Sequence, residues 1–148
     1  MPTKTSVRPA AASDVPALLS LYAELHPTDP PVAPERVAEV WQHIAAQTGR
    51  TILVAELGGD VVGTVDCALL PNLTRGARPY LVVENVVVAE RVRRQGVGTA
   101  LFDAVTELAQ QTHSYKIQLI SASKNEGTHA FYRALGLEPR AQGYRRYL

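Results

Sequence analysis

Of 148 residues, one is cysteine, one methionine, one tryptophan and two phenylalanine. A single thiol, Cys67, excludes an intrachain disulfide. It lies in the apolar run Val61–Leu70, where a free thiol packs as a small hydrophobe, so Cys67 reads as core and not as a nucleophile. Neither sign of charge is in excess, with 15 Lys+Arg against 14 Asp+Glu. That balance excludes a globally basic nucleic-acid binder, and any basic site must be local. No apolar run approaches the roughly 20 residues that cross a bilayer, so no membrane partner is expected. The N-terminal stretch MPTKTSVRPAAASD lacks the apolar core of a signal peptide, and the expected location is the cytoplasm.

What is present is enough chain for one domain over 1–148 with a real core. Thr5–Arg8 reads as a strand ended by Pro9. Ser13 or Asp14 can cap a helix that carries Val15, Leu18, Leu19, Tyr22 and Leu25 at helical spacing. The stretch HPTDPPVAP at 26–34 is a loop. A second helix starts near Pro34 or Glu35 and stops at Gly49. Thr51–Leu57 and Val61–Leu70 flank a glycine turn and make a hairpin. Tyr80–Val88 is a long strand, apolar enough for both faces to be covered, yet interrupted by Glu84 and Asn85. Glu84 and Asn85 face opposite sides unless a bulge intervenes. After a glycine turn, a helix carries Val97, Leu101, Ala104, Val105 and Leu108. Tyr115–Ser121 is a strand, Asn125–Leu135 a helix stopped by Gly136, and Leu137–Leu148 one or two closing strands with a bend near Gln142 and Gly143. The order is β α α β β β α β α β, a mixed α/β layer structure without repeats.

The stretch Val82–Leu101 carries the chemistry. A strand feeds a basic segment, then a glycine-paired turn, then a helix start. Helix starts leave backbone N–H groups unsatisfied and carry partial positive charge. Glycines let the backbone approach a phosphate, and Arg91, Arg93 and Arg94 add charge. A phosphate-bearing ligand is therefore expected around Gly96 and Gly98. The P-loop is excluded, because no Gly-Lys-Ser or Gly-Lys-Thr follows the turn. A dinucleotide fold wants glycine where Leu101 stands, and an acid about 20 residues on.

Arg93-Arg94-Gln95-Gly96-Val97-Gly98 fits R/Q-x-x-G-x-G/A, and Phe131-Tyr132-Arg133-Ala134-Leu135-Gly136-Leu137 is similar to an F-Y-x-x-x-G-F segment. In these motifs and in its element order the chain resembles the GNAT family of N-acetyltransferases. Leu137 replaces the usual Phe. The resemblance implies a mixed, mostly antiparallel sheet of six to seven strands, splayed between the fourth and fifth and flanked by four helices. It implies acetyl-CoA as co-substrate and no metal. The main chain of Val86, Val87 and Val88 would pair with the pantetheine arm, one N–H polarising the thioester carbonyl. Arg93, Arg94, Gln95, Gly96, Val97, Gly98 and Thr99 would hold the pyrophosphate, and Asn125 would contact the coenzyme or else serve only as a helix cap. Tyr132 would protonate the departing thiolate, the alternative being a core tyrosine. Glu84, as a desolvated carboxylate, would deprotonate the amine; its alternative is a buried, paired carboxylate.

The acceptor is less defined. The expected substrate residues are His26, Asn72 and Arg78, around a small primary amine. A protein-lysine or N-terminal acceptor and a non-catalytic acyl-CoA sensor are the alternatives. Tyr80–Val88 and Ser114–Leu119 (SYKIQL) also resemble parts of the glucosamine-6-phosphate acetyltransferase branch. Small aminophosphonate and aminoglycoside acetyltransferases share much of that framework. A homodimer through the C-terminal segment Tyr144–Leu148 is compatible with the family.

Overall fold

The computed structural model describes residues 3–148. Four helices and five strands follow one another: β1 (Ser6–Pro9), α1 (Val15–Leu25), α2 (Pro34–Ala46), β2 (Arg50–Leu57), β3 (Asp60–Leu70), β4 (Tyr80–Val88), α3 (Val97–Gln111), β5 (Ile117–Leu119) and α4 (Glu126–Ala134). The strands form one sheet in the order β1-β2-β3-β4-β5, antiparallel from β1 through β4. The step to β5 goes through α3, the kind of crossover that neighbouring parallel strands need. The chain divides into two compact units, one running to Gln118 and one from Leu119 to Leu148.

Alternation along the strands assigns the two faces of the sheet in the first unit. Ile52 and Val54 look toward α1 and α2, where they join Leu18, Tyr22, Trp41 and Ile44. The opposite face carries the buried Leu53, Val65, Cys67, Leu81 and Val83. Gly63 belongs to that second face. A Cβ built there would come within 3.0 Å of Val97 and 3.1 Å of Leu101, so the missing side chain lets the start of α3 press against the sheet. Cys67 is fully buried, and burial pushes its thiol up to about 12. It is a core residue, as its apolar surroundings predict.

Several expectations are corrected. The sheet has five strands and not six to seven. The segment 137–148 forms no strand and lies almost wholly exposed. A strand needs a partner for its ladder, and this one bonds locally: Leu137 N–H to Tyr132 O and Arg140 N–H to Glu138 O. In α1 the buried residues are Leu18 and Leu21, while Leu19 is 45% exposed. That helix is apolar on most sides, so periodicity alone does not orient it. Asp14 occupies the N-cap position of α1 without capping it. Its carboxylate instead takes Arg8 at 2.7 and 2.9 Å and the Ala11 N–H at 2.7 Å.

β4 departs most from the sequence reading. Its faces are not both covered: Tyr80 and Val82 are half-buried, and Glu84 and Asn85 are exposed. Opposite β3, Asp66 pairs with Glu84 but Thr64 pairs with Val87. Between these pairs one residue of β3, Val65, faces two of β4, Asn85 and Val86, which is a bulge, and Asn85 sits in it at φ +51°. Before the bulge, Tyr80, Val82 and Glu84 share the α1 and α2 face. After it, Val87 takes that face and Val88, paired with Gly63, takes the other.

Candidate active site

Val88 leads through Ala89 into the basic turn. The Ala89 N–H bonds Val62 O at 2.8 Å, which anchors the end of β4. Arg93 turns its Nε back to the Val88 carbonyl at 3.3 Å. Arg94 lies at φ +66° and Gly96 at φ +82°, and Gly96 is the N-cap of α3. Left-handed residues set into such a turn aim successive N–H groups into one concavity. The first α-helical bond of α3 runs from Ala100 N–H to Gly96 O at 3.0 Å. The amides of Val97, Gly98 and Thr99 therefore precede the intrahelical ladder and face out of the helix start. Arg93, Arg94, Gln95 and Gly96 are exposed, Gly98 is half-buried and Val97 is buried as the packing anchor. The residues expected to hold the phosphate thus run contiguously through this turn and the start of α3.

β5 has three residues against nine in β4, too few to pair with all of it. Backbone bonds tie the two near their starts: Tyr115 N–H to Pro79 O at 3.0 Å and Leu81 N–H to Lys116 O at 3.1 Å. Val86 and Val88 lie in the later half of β4, half-buried, with Val87 buried between them.

Glu84 is exposed at the bulge, not enclosed, so the desolvation expected for it is not present in this structure. Directly across β3 is Asp66, 4% exposed. Arg50 clamps that carboxylate with both arms of its guanidinium, Nε at 2.5 Å and an NH2 at 2.6 Å. Burial pushes the Tyr22 phenol up to about 12, with the Asp66 charge adding to it and a hydrogen bond to Thr64 opposing. Thr64 Oγ1 donates to Leu53 O at 2.8 Å. This polar floor beneath Glu84 went unread in the sequence. An acid in the middle of the apolar run Val61–Leu70 was its only signal.

In the second unit, Asn125 caps α4: its Oδ1 accepts from Gly127 N–H at 2.7 Å and Thr128 N–H at 3.3 Å. Phe131 and Tyr132 are both half-buried, with ring centroids 5.4 Å apart. Burial raises the Tyr132 phenol above its ordinary value of 10.0, which keeps it protonated. Of the expected substrate residues, His26 is exposed at the end of α1. Asn72 Nδ2 donates to Thr74 O and Oγ1 at 3.1 and 2.9 Å. Arg78 donates to the carbonyls of His113 and Ser114 at 3.2 Å each, just past the end of α3. Asn72 and Arg78 thus hold local structure. No described helix is long and apolar enough to cross a membrane.

Comparison with known proteins adds to this geometry. A glucosamine 6-phosphate N-acetyltransferase from Trypanosoma brucei brucei is 35% identical over 78 residues, 53% of this chain and 51% of that one. The chain spans about half or less of the length of the curated relatives it matches. A solved structure from Agrobacterium tumefaciens str. C58 is 36% identical, with a TM-score of 0.92 over 97% of this chain and 99% of that chain. An aminoglycoside N-acetyltransferase solved in complex with CoA shares the fold, with a TM-score of 0.80 at 18% identity over 100% of this chain and 98% of that chain. The description "Acetyltransferase (GNAT) family" matches residues 16–137. The chain therefore belongs to the GNAT acetyltransferase family.

Proposed function

We propose that this protein transfers the acetyl group of acetyl-CoA to a primary amine on a small molecule, by direct attack in a ternary complex. The observation that carries the reading is the anion-ready turn between β4 and α3. It combines two left-handed residues, three helix-start amides outside the ladder and the exposed arginines Arg91 and Arg93 just ahead of them. The diphosphate of the coenzyme fits that donor set, and the later half of β4 offers main chain to the pantetheine arm. Complexes of fold relatives with CoA support the same choice of co-substrate.

The chemistry then needs two proton transfers. The amine arrives as an ammonium ion, and Glu84 takes its proton, directly or through water. The freed nitrogen pair attacks the thioester carbon. A C–N bond forms, the C–S bond breaks, and a β4 amide among Val86–Val88 holds the developing oxyanion. Tyr132 gives its phenolic proton to the departing thiolate, and the phenol's raised proton affinity suits a group that must arrive protonated.

The reading is tested by Gly98→Asp, which sets a carboxylate beside the diphosphate. Calorimetry should show acetyl-CoA affinity reduced at least about tenfold, the scale of one lost or opposed charge contact. Equal affinity in wild type and variant would remove the turn from the coenzyme site. Thiol release with a panel of amines reports the transfer itself.

A further inference from the structure

We propose that a subsite formed by Lys116, Arg75 and the Tyr80–Tyr115 pair receives an anionic group, so that the acceptor is a small amine bearing a phosphate or carboxylate at its far end. The idea rests on the acetyl-transfer reading for the word acceptor, but the subsite stands on its own geometry.

Strand register supplies the path. Tyr80, Val82 and Glu84 pair with Leu70, Ala68 and Asp66, so all three lie on one face of β4. It is the face on which α1 and α2 cover Ile52 and Val54. Those helices leave Val82 and Tyr80 half-buried and Glu84 open. Four residue steps along the strand lead from Tyr80 to Glu84, roughly 13 Å.

The far end is cationic and aromatic. The rings of Tyr80 and Tyr115 meet edge to face at 6.2 Å. The Lys116 ammonium sits 5.0 Å from the Tyr80 ring centre and 5.3 Å from that of Tyr115. Arg75 lies 5.8 Å from the Tyr115 ring centre. None of the ion pairs among the described residues uses Arg75, Arg78 or Lys116. Arg78 is committed to carbonyls, so it lends field and not donors. An ammonium resting over two rings keeps N–H donors for an anion, and the rings limit competing water.

Backbone strain supports the placement of Arg75. Arg75, Gly76 and Ala77 run consecutively at φ +54°, +70° and +58°. Two of these are not glycine, and side-chain-bearing residues adopt that conformation only at a cost. The turn is the piece that sets Arg75 beside Tyr115. The face therefore runs from a carboxylate at Glu84 to uncompensated cations at Lys116 and Arg75. A ligand positive at one end and negative at the other aligns with that gradient.

The test uses ω-aminoalkyl phosphonates, ω-amino carboxylates and amino alcohols of matched chain length, with acetyl-CoA and the full chain. The acid-bearing amines should exceed their neutral partners in kcat/KM by about tenfold or more, through KM. The phosphonate and carboxylate arms decide which acid is preferred. In Lys116→Gln and Arg75→Gln that ratio should fall toward one. Independently, propylphosphonate, which has no amine, should move the ring resonances of Tyr80 and Tyr115 in wild type and not in Lys116→Gln. Equal kcat/KM for charged and neutral amines, or rings that ignore propylphosphonate, would overturn the subsite. Responsive rings without thiol release from any amine would keep the subsite and overturn acetyl transfer.

Discussion

Tyr132 and Glu84 carry the proposed proton traffic from opposite kinds of environment. Tyr132 is half-buried, and burial holds its phenol above 10.0. A general acid must be protonated to work, so kcat should hold through neutral pH and fall only above about 10, beyond the ordinary tyrosine range. Tyr132→Phe should lower kcat about a hundredfold, remove that alkaline limb and leave KM for acetyl-CoA nearly unchanged. A variant of full speed with the same pH profile would take Tyr132 out of the reaction. Glu84 stays open to solvent. Its identity was visible in the sequence as a charge inside an apolar strand, but its exposure was not, because exposure depends on which neighbours α1 leaves uncovered. Asn125 shows the same limit at finer grain. Its type and place announced a helix start, and its oxygen is spent on the amides of Gly127 and Thr128.

At the level of elements, the bulge in β4 is the part with the largest consequences. Asn85 holds φ +51°, a conformation that Asn and Gly tolerate and β-branched residues resist. Asn85→Gly should be nearly neutral. Asn85→Val should destabilise by about 1–2 kcal/mol, seen as a lower Tm, and should raise KM for the amine if the bulge sets the pose of Glu84. Equal Tm for the two variants would mean that the turn is not strained. Helices and the hairpin were readable because each follows from local period and turn chemistry: β4 has the limits its composition predicts, and α3 begins at Val97, within the glycine pair. The bulge was not readable, since it is a mismatch between two strands and neither strand states it alone. The closing strands failed for a related reason. Tyr144–Leu148 has strand-forming residues, but ladder formation needs a partner edge.

At the scale of the molecule, Arg8 ties the first strand to its surroundings, bonding Asp14 on one side and Glu56 at 2.6 Å on the other. The guanidinium, by hydrogen bonding, holds the Asp14 carboxyl below its ordinary 3.8, and burial opposes this. Asp14 is therefore ionised in the folded state at pH values where the unfolded chain would bind a proton. Its contribution is full above about 3.8 and is lost as pH falls through the lower folded value. Thermal melts of wild type should show Tm dropping below pH 4, and Asp14→Asn should melt lower at neutral pH with a shallower acid slope. Parallel curves for the two proteins would assign the acid sensitivity elsewhere. This clamp was not legible either: Asp14 looked like a helix cap, and Glu56 is brought to Arg8 only by pairing of β1 with β2.

The extra residue at Asn85 also means that β4 can lose a residue more easily than it can gain one. Side chains on a strand obey parity, and everything from Val87 onward has switched parity relative to Tyr80 and Val82. Removing Asn85 would leave Val86 alone opposite Val65 while Glu84 stays opposite Asp66 and Val87 opposite Thr64, so the ladder would close up with Val87 still in its buried seat. What the deletion would take away is the local bend and extra twist, and β4 would run straighter into the glycine turn.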